Sequence, residues 1–331
     1  MKMAEVIRKA QPNIESVHID KPLTNVSVAY IQDTKDFVAD DVFPSVKVEK
    51  RSDKYFVYNK NDWFRDEAAI RPDATETVGG GYNLSTDSYF CDVWGYHKDI
   101  GAQTEANSDF DDFSDATEFV THKLLLKKER EFVSNYFGTS IWDTDKTGAA
   151  DGGGGDFVYW DDYTNSTPIT DIAGYKRTIK KSTGFMPNTF LIGGEAWDKL
   201  RTHPDIIELV KYTQNAISLS PALVAQALGI DKLVIADGIY ATNVEGDTGA
   251  YDQIVGGNGL LLYVNPRPAK RRPSAGYTFA WTGYGGQNAY GVTVGRFYIQ
   301  QIKANRVEGE MAFDMKVVGS DLGLFMNGLV S

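Results

Sequence analysis

The sequence predicts an α+β fold, and three observations carry that prediction. Helical periodicity is confined to a few segments, the strongest running from Ser114 to Phe137. Strand-like runs lie on both sides of it, without the regular strand–helix alternation of a parallel-sheet enzyme. Composition agrees, because 32 Gly, 18 Tyr and 17 Phe favour strands, hairpins and extended loops over a helical bundle.

Residues 1–40 read as an arm. Pro12, Pro22 and many polar residues interrupt any helical period, and such a segment needs a partner surface to bury what apolar area it has. From Val42 to Ile100 the pattern is two long strands joined by a long tip. Val46, Val48, Tyr55 and Val57 mark the outgoing strand, and Tyr89 to Tyr96 the return. Between them Asn59–Asp87 contains Pro72 and the run Gly79-Gly80-Gly81. A connection of this length inside a compact body is usually functional, so it reads as a projecting loop.

The Ser114–Phe137 helix has Asp109, Asp111, Asp112 and Asp115 at its start, with Lys123, Lys127, Lys128 and Arg130 further along. That charge order suits the helix dipole, and Gly138 suits a left-handed stop. Thr139–Ser166 is rich in Gly and Asp and reads as a loop or short hairpin insertion. Helices follow at Ile169–Lys181, Gly194–Leu200, Asp205–Tyr212 and Pro221–Leu228, with a buried strand over Asn188–Ile192. Strands are expected at Lys232–Ala236, Ile239–Val244 and Leu260–Val264, and through most of Tyr277–Val330.

The chain has 331 residues, 42% hydrophobic and 24% charged, which excludes a wholly disordered protein. Its formal net charge of -11 repels nucleic-acid phosphate at long range. Met1–Ala10 lacks the apolar core of a secretory signal, and no apolar run approaches the roughly 20 residues that span a bilayer. Cys91 is the only cysteine, so no intrachain disulfide forms and a reducing compartment is the expectation.

No phosphate-binding, serine-hydrolase or zinc-protease motif is present. His18, His97, His122 and His203 are scattered and read as surface or helix-flank residues. Asp143, Asp145 and Asp151 resemble the front of a calcium loop, but Gly154 stands where the closing Glu belongs, so the segment reads as an ordinary loop. Arg267, Lys270, Arg271 and Arg272 form one basic cluster, read as an ion-paired contact to acidic neighbours rather than a phosphate site. No catalytic residue, cofactor site or metal site is assigned.

Several phrases together resemble the major capsid protein of tailed bacteriophages, the Hong Kong 97-type coat-protein fold. They are Phe185-Met186-Pro187-Asn188-Thr189-Phe190-Leu191-Ile192-Gly193, then Trp197, Leu200, His203-Pro204-Asp205-Ile206 and Lys211-Tyr212-Thr213. Leu223–Leu228 with Lys232–Ile235, Pro273–Trp281 and Asp321–Leu324 fit the same series. The resemblance spans about residues 30–331, and its motifs record packing rather than chemistry.

It implies an N-terminal arm (1–40), an extended hairpin loop with flanking strands (41–100), and a peripheral domain with a long spine helix (101–214). It further implies an axial domain (215–290) and C-terminal strands returning to the peripheral domain (291–331). The function implied is a non-enzymatic shell protein. Copies would assemble in the host cytoplasm into hexamers and pentamers of an icosahedral virion head. The head would enclose double-stranded DNA without specific binding or any membrane. A separate scaffolding protein, a portal and possibly decoration proteins would be its partners.

Trp63, Phe64 and Tyr82, together with Tyr89, are expected as aromatic anchors on a neighbour. Arg65, Asp66, Glu67 and Arg71 would set register, and Gly79, Gly80 and Gly81 would allow the loop to bend. Arg267, Arg271 and Arg272 complete the expected interface. Lys54 and Lys60 lie where some members of the family crosslink, but nothing here assigns that chemistry. The alternatives are an encapsulin-like compartment shell and, from another class, a carboxylate-dependent glycoside hydrolase.

Overall fold

The computed structural model describes residues 32–58, 60–108, 111–211, 219–244, 246–247, 249–268, 272–283 and 292–331. The expected arm therefore lies mostly outside the described residues, as do Lys270 and Arg271. In chain order the elements are α1 (Ala39–Val42), β1 (Ser45–Val48), β2 (Ser52–Tyr58), α2 (Lys60–Trp63), β3 (Leu84–Phe90), β4 (Asp92–Gly101), α3 (Ala102–Asn107) and α4 (Asp112–Tyr136). Next come β5 (Thr144–Ala149), β6 (Phe157–Val158), α5 (Pro168–Thr183), β7 (Thr189–Gly193), α6 (Gly194–Arg201), α7 (Pro204–Val210) and α8 (Pro221–Leu228). The remainder are β8 (Lys232–Ala236), β9 (Ile239–Ala241), β10 (Tyr251–Gln253), β11 (Gly259–Leu262), β12 (Gly276–Trp281), β13 (Thr293–Ile299), β14 (Ala304–Val317) and β15 (Gly323–Asn327). The mixed α+β class expected from the pattern is what forms.

The chain divides into two compact units. The larger contains residues 35–92, 129–283 and 313–331. Its six-stranded sheet runs β6-β5-β15-β11-β7-β8. β7 and β11 are buried at every residue, as their unbroken apolar runs require. Trp160, Ile172, Ile179, Phe190, Leu200 and Ile206 pack into the core beside that sheet. In the same unit β1 lies parallel to β12, and β12 is antiparallel to the end of β14, from Gly276 opposite Val317 to Ala280 opposite Phe313. Phe43 sits under this ladder, edge-on to Phe132 at 5.2 Å between ring centroids. The buried Glu129 carboxylate accepts from the backbone N–H groups of Val38 and Ala39, at 3.0 and 2.9 Å, and so satisfies the open start of α1.

The smaller unit includes residues 93–128 and the described part of 284–312. Here β13 pairs antiparallel with the first part of β14, from Thr293 opposite Glu310 to Ile299 opposite Ala304. Ile100, Ala116 and Val307 form its small core, with Phe113 and Val294 against them. The Arg306 guanidinium donates to both Asp99 oxygens, at 2.6 and 2.8 Å, and that bidentate pairing holds the Asp99 carboxyl below the usual range. Gly309 is required, because a Cβ there would meet Val120 and Leu124 at 2.5 and 2.9 Å.

Four expectations need correction. The outgoing strand breaks into β1 and β2 around Glu49–Arg51, and the return begins at Leu84, with Cys91 separating β3 from β4. Thr139–Ser166 is not merely a loop: β5 joins the six-stranded sheet between β15 and β6, parallel to both. Tyr89 is 7% exposed and stacks on Phe279 at 4.6 Å, so it belongs to the core and is no anchor for a neighbour. His203 is fully buried rather than superficial.

The structure explains the buried His203. Its Nδ1 accepts from the Asp205 N–H at 3.2 Å and caps the start of α7. That fixes the proton on Nε2, which lies 3.0 Å from Ser166 Oγ, and Ser166 Oγ donates to the Asp162 carbonyl at 2.6 Å. Burial pushes the imidazole pKa down, with Asp205 opposing.

Candidate assembly surface

The projecting element is the β2–β3 hairpin. Its register runs from Ser52 opposite Phe90 to Tyr58 opposite Leu84. Strand alternation places Tyr55, Val57, Asp87 and Tyr89 on one face and Phe56, Tyr58, Leu84 and Phe90 on the other. The first face is held to its own unit. Tyr55 lies 5.4 Å from Phe279 and Tyr89 stacks on the same ring. The Tyr55 hydroxyl donates to Asp87 Oδ2 at 2.8 Å, and burial, reinforced by that acceptor, pushes the phenol pKa up. The second face is open: Phe56 is 57% exposed, Phe90 51% and Leu84 44%. Arg51 lies over Phe90 at 4.6 Å from the ring centroid.

At the neck, Tyr58, Trp63 and Tyr82 form an aromatic triad with centroid separations of 5.7–6.2 Å. Asp62 Oδ2 accepts from the Asn83 N–H at 2.7 Å and ties the two sides together. Lys60 pairs with Asp321. Phe64 lies against Gly184, whose left-handed backbone (φ 81°) closes α5 and whose missing side chain leaves room for the ring. Trp63, Phe64 and Tyr82 nonetheless keep at least 60% of their surface exposed.

The outer tip carries the charges expected to set register. Arg65 and Glu67 approach to 3.7 Å with both side chains largely in solvent, an arrangement worth little by itself. Arg71 Nε donates to the Thr75 carbonyl at 2.6 Å and organises a turn there. Asp66 and Ile70 are exposed, the latter at 96%. Gly79 and Gly81 border open space, and Gly80 lies against the Glu67 carboxylate.

The other expected residues lie elsewhere. Arg267 and Arg272 are exposed near Asn265, whose side chain accepts from the Arg267 N–H at 3.0 Å and donates to the Pro273 carbonyl at 3.2 Å. Asp143 accepts from Ser320 Oγ at 2.7 Å, Asp145 from the Ser140 N–H at 2.6 Å, and Asp151 is exposed in a turn. Asp143 and Asp145 are thus engaged with separate partners, and Asp151 stands in a turn beyond the strand. Among the described residues no group of three His, Cys, Asp or Glu is placed to hold a metal ion.

The family profile described as "Phage major capsid protein E" matches residues 159–269, which cover α5 to β11 and the turn after it. Over nearly the whole length, the chain is 24% identical to the major capsid protein of Burkholderia phage BcepMu, covering 94% of this chain and 96% of that one. Over nearly its whole length the chain is similar to phage major capsid proteins, and the Hong Kong 97-type fold is consistent with that likeness. The fold likeness is equally extensive. A phage-related protein from Bordetella bronchiseptica RB50 superposes with a TM-score of 0.67 at 19% identity, covering 94% of this chain and 97% of that one. The capsid protein of cyanophage P-SCSP1u does so with a TM-score of 0.59 at 10% identity, covering 96% and 95%.

Sequence reading singled out Trp63 and Tyr82 of the neck but not the outward face of the hairpin. Phe56, Leu84 and Phe90 were legible only as strand residues. Their shared face depends on the register Ser52 opposite Phe90, which the long tip conceals.

Proposed function

We propose that the outward face of the β2–β3 hairpin and its aromatic neck are subunit contacts in an icosahedral head built from hexamers and pentamers. The observation that carries this reading is a hairpin fastened on one face through Phe279 while Phe56, Leu84 and Phe90 stand exposed on the other. Large apolar side chains left exposed along one strand face are candidates for burial against a partner. Many such contacts, each weak, hold a closed shell because binding at one raises the effective concentration at the next.

Arg65, Asp66, Glu67 and Arg71 set register on the neighbour, and Arg267, Arg271 and Arg272 meet acidic surface there. The arm, extended loop, peripheral domain and axial domain follow the residue ranges implied by the family resemblance. The head encloses double-stranded DNA without specific binding. A chain of net charge -11 leaves packaged DNA free to slide. Scaffolding, portal and decoration proteins are separate chains, assembly takes place in the host cytoplasm, and the protein has no catalytic role. Among the described residues no helix is long and apolar enough to cross a membrane.

Size-exclusion chromatography followed by negative-stain microscopy tests the reading. Large closed particles are expected. A species that remains a single copy at every concentration overturns it.

A further inference from the structure

We propose that the exposed face of α5 touches the phosphate backbone of the double-stranded DNA inside the shell. This rests on the shell reading above and adds a surface that meets the cargo.

α5 buries Ile172 and Ile179 and leaves its opposite side in solvent. On that open side the charged residues are Arg177, Lys180 and Lys181, with no acid among them. Among the described residues their side chains make no hydrogen bond, ion pair or ring contact. The other charges of the helix are engaged elsewhere. Lys176 Nζ donates to the Leu228 carbonyl at 2.9 Å and to that of Gly229, at the end of α8. Asp171 is partly buried and accepts from Trp160 Nε1 at 3.4 Å. Three cations thus stand without a counterion on a chain with 45 acidic and 34 basic residues. Lys180 and Lys181 lie in the last turn, where they also suit the helix dipole. Arg177 lies before that turn, so the dipole does not account for it.

The residues beside these cations are short. Ala173, Gly174 and Thr178 are exposed next to Arg177. A glycine inside a helix weakens it relative to alanine. A Cβ at Gly174 would meet nothing within 4 Å, so packing within the subunit gives no reason for it. Open room beside unpaired cations suits an anionic partner that comes close to the helix.

Residues three and four apart are neighbours on a helix, with Cβ atoms about 5–6 Å apart. Each strand of duplex DNA carries one phosphate per about 3.4 Å of axis. Arg177, Lys180 and Lys181 therefore match neighbouring phosphates. The acidic surface of a second copy fits less well. Acids on this chain stand among cations, as Glu67 does beside Arg65 and Asp198 beside Arg201. A nucleic-acid backbone presents anions alone. Contacts to phosphate hold a duplex without reading its bases, which leaves the enclosed DNA free to move along the shell.

Anisotropy of a short labelled duplex mixed with unassembled protein, followed across a salt series, tests the contact. Three phosphate contacts contribute about -2.7 to the slope of log affinity against log salt. The triple variant Arg177→Gln, Lys180→Gln, Lys181→Gln is expected to lose that share of the slope and to bind about tenfold or more weakly at low salt. Lys47, Lys50 and Lys54 are exposed elsewhere, and replacing all three by Gln removes the same charge. That control is expected to keep the wild-type slope. Gly174→Glu puts an anion on the face while improving helix propensity. It is expected to lose the duplex and to melt no lower than wild type. A wild type that binds no duplex at low salt overturns the proposal. So does a triple variant with the wild-type slope, or a control that loses as much as the triple variant. A triple variant that binds DNA normally but no longer assembles assigns the face to a second copy and overturns it too. If wild type forms no particles, the shell reading falls and this contact with it. Particles that form without duplex binding through α5 remove only this contact.

Discussion

Asp314 accepts a hydrogen bond from the backbone N–H of Phe90 at 2.9 Å, which fastens the root of the projecting hairpin to the end of β14. The carboxyl is half-buried there. Burial raises its pKa and Asp92 adds to the effect, while the Phe90 N–H and Lys316 oppose it. The ionised form that makes the bond is therefore held at a cost.

The sign of the pH dependence follows from that arrangement. A carboxyl whose folded pKa lies above its unfolded value binds its proton more tightly when folded. Its contribution to stability is full below the unfolded pKa and is lost as pH rises through the folded one. Asp314→Asn, which keeps an oxygen for the Phe90 N–H, is expected to melt higher than wild type at pH 7. The two should converge towards pH 4. Calorimetry of unassembled protein across that range checks this, and a variant that melts lower at neutral pH contradicts it.

Phe279 is the ring on which both Tyr55 and Tyr89 rest, at 5.4 and 4.6 Å. Truncation to Ala removes both contacts and opens a cavity in the small core around Cys91. A cost of about 3–5 kcal/mol is expected. The loss should localise to the hairpin. Limited trypsin digestion is expected to cut at Arg51 or Lys54 much faster in the variant, with the six-stranded sheet remaining protected.

Helices with a clean stop were legible in the sequence for a physical reason. Pro221 at the first turn and Gly229 in the left-handed region (φ 63°) delimit α8 with local chemistry alone, and Gly184 does the same for α5. The features that sequence concealed depend on distant partners. Nothing near Tyr89 reveals that Phe279 covers it, and nothing near Asp145 reveals that its strand lies beside Leu324–Asn327. His203 looked superficial because a histidine between Thr202 and Pro204 carries no local sign of burial. Its partner Ser166 is 37 positions away. The charged tip was legible as a projection because its residues lack any apolar period, and it is indeed exposed from Phe64 to Leu84.

His203 gives a second pH dependence, of opposite sign. Its folded pKa is depressed, so the neutral ring stabilises the fold fully above the unfolded value near 6.5. That contribution is lost as pH falls through the unfolded pKa towards the folded one. Protonation would aim an Nδ1–H at the Asp205 N–H and break the cap of α7. His203→Asn retains a cap acceptor but cannot titrate. It is expected to be less stable than wild type at pH 7, since it leaves a cavity, yet to show a shallower fall between pH 7 and 5. The slope contributed by His122, whose pKa is also lowered by burial, persists in both proteins. Equal slopes in denaturant melts over that range would remove His203 from the account.

The outward hairpin face separates folding from assembly. Phe56 and Leu84 are 57% and 44% exposed, and their burial in the lone subunit contributes little. The double variant Phe56→Ser with Leu84→Ser is therefore expected to shift subunit stability by no more than about 0.5 kcal/mol per site. The same variant removes two large apolar side chains from the proposed contact, where full burial of each is worth about 1.5–3 kcal/mol. A shell repeats that loss at every copy, so the critical concentration for particle formation should rise at least tenfold. Sedimentation across a dilution series reads that concentration, and denaturant melts of the unassembled protein read the fold. Particles that form at the wild-type concentration with an unchanged melt would show that Phe56 and Leu84 face solvent in the shell and that the contact lies on another surface.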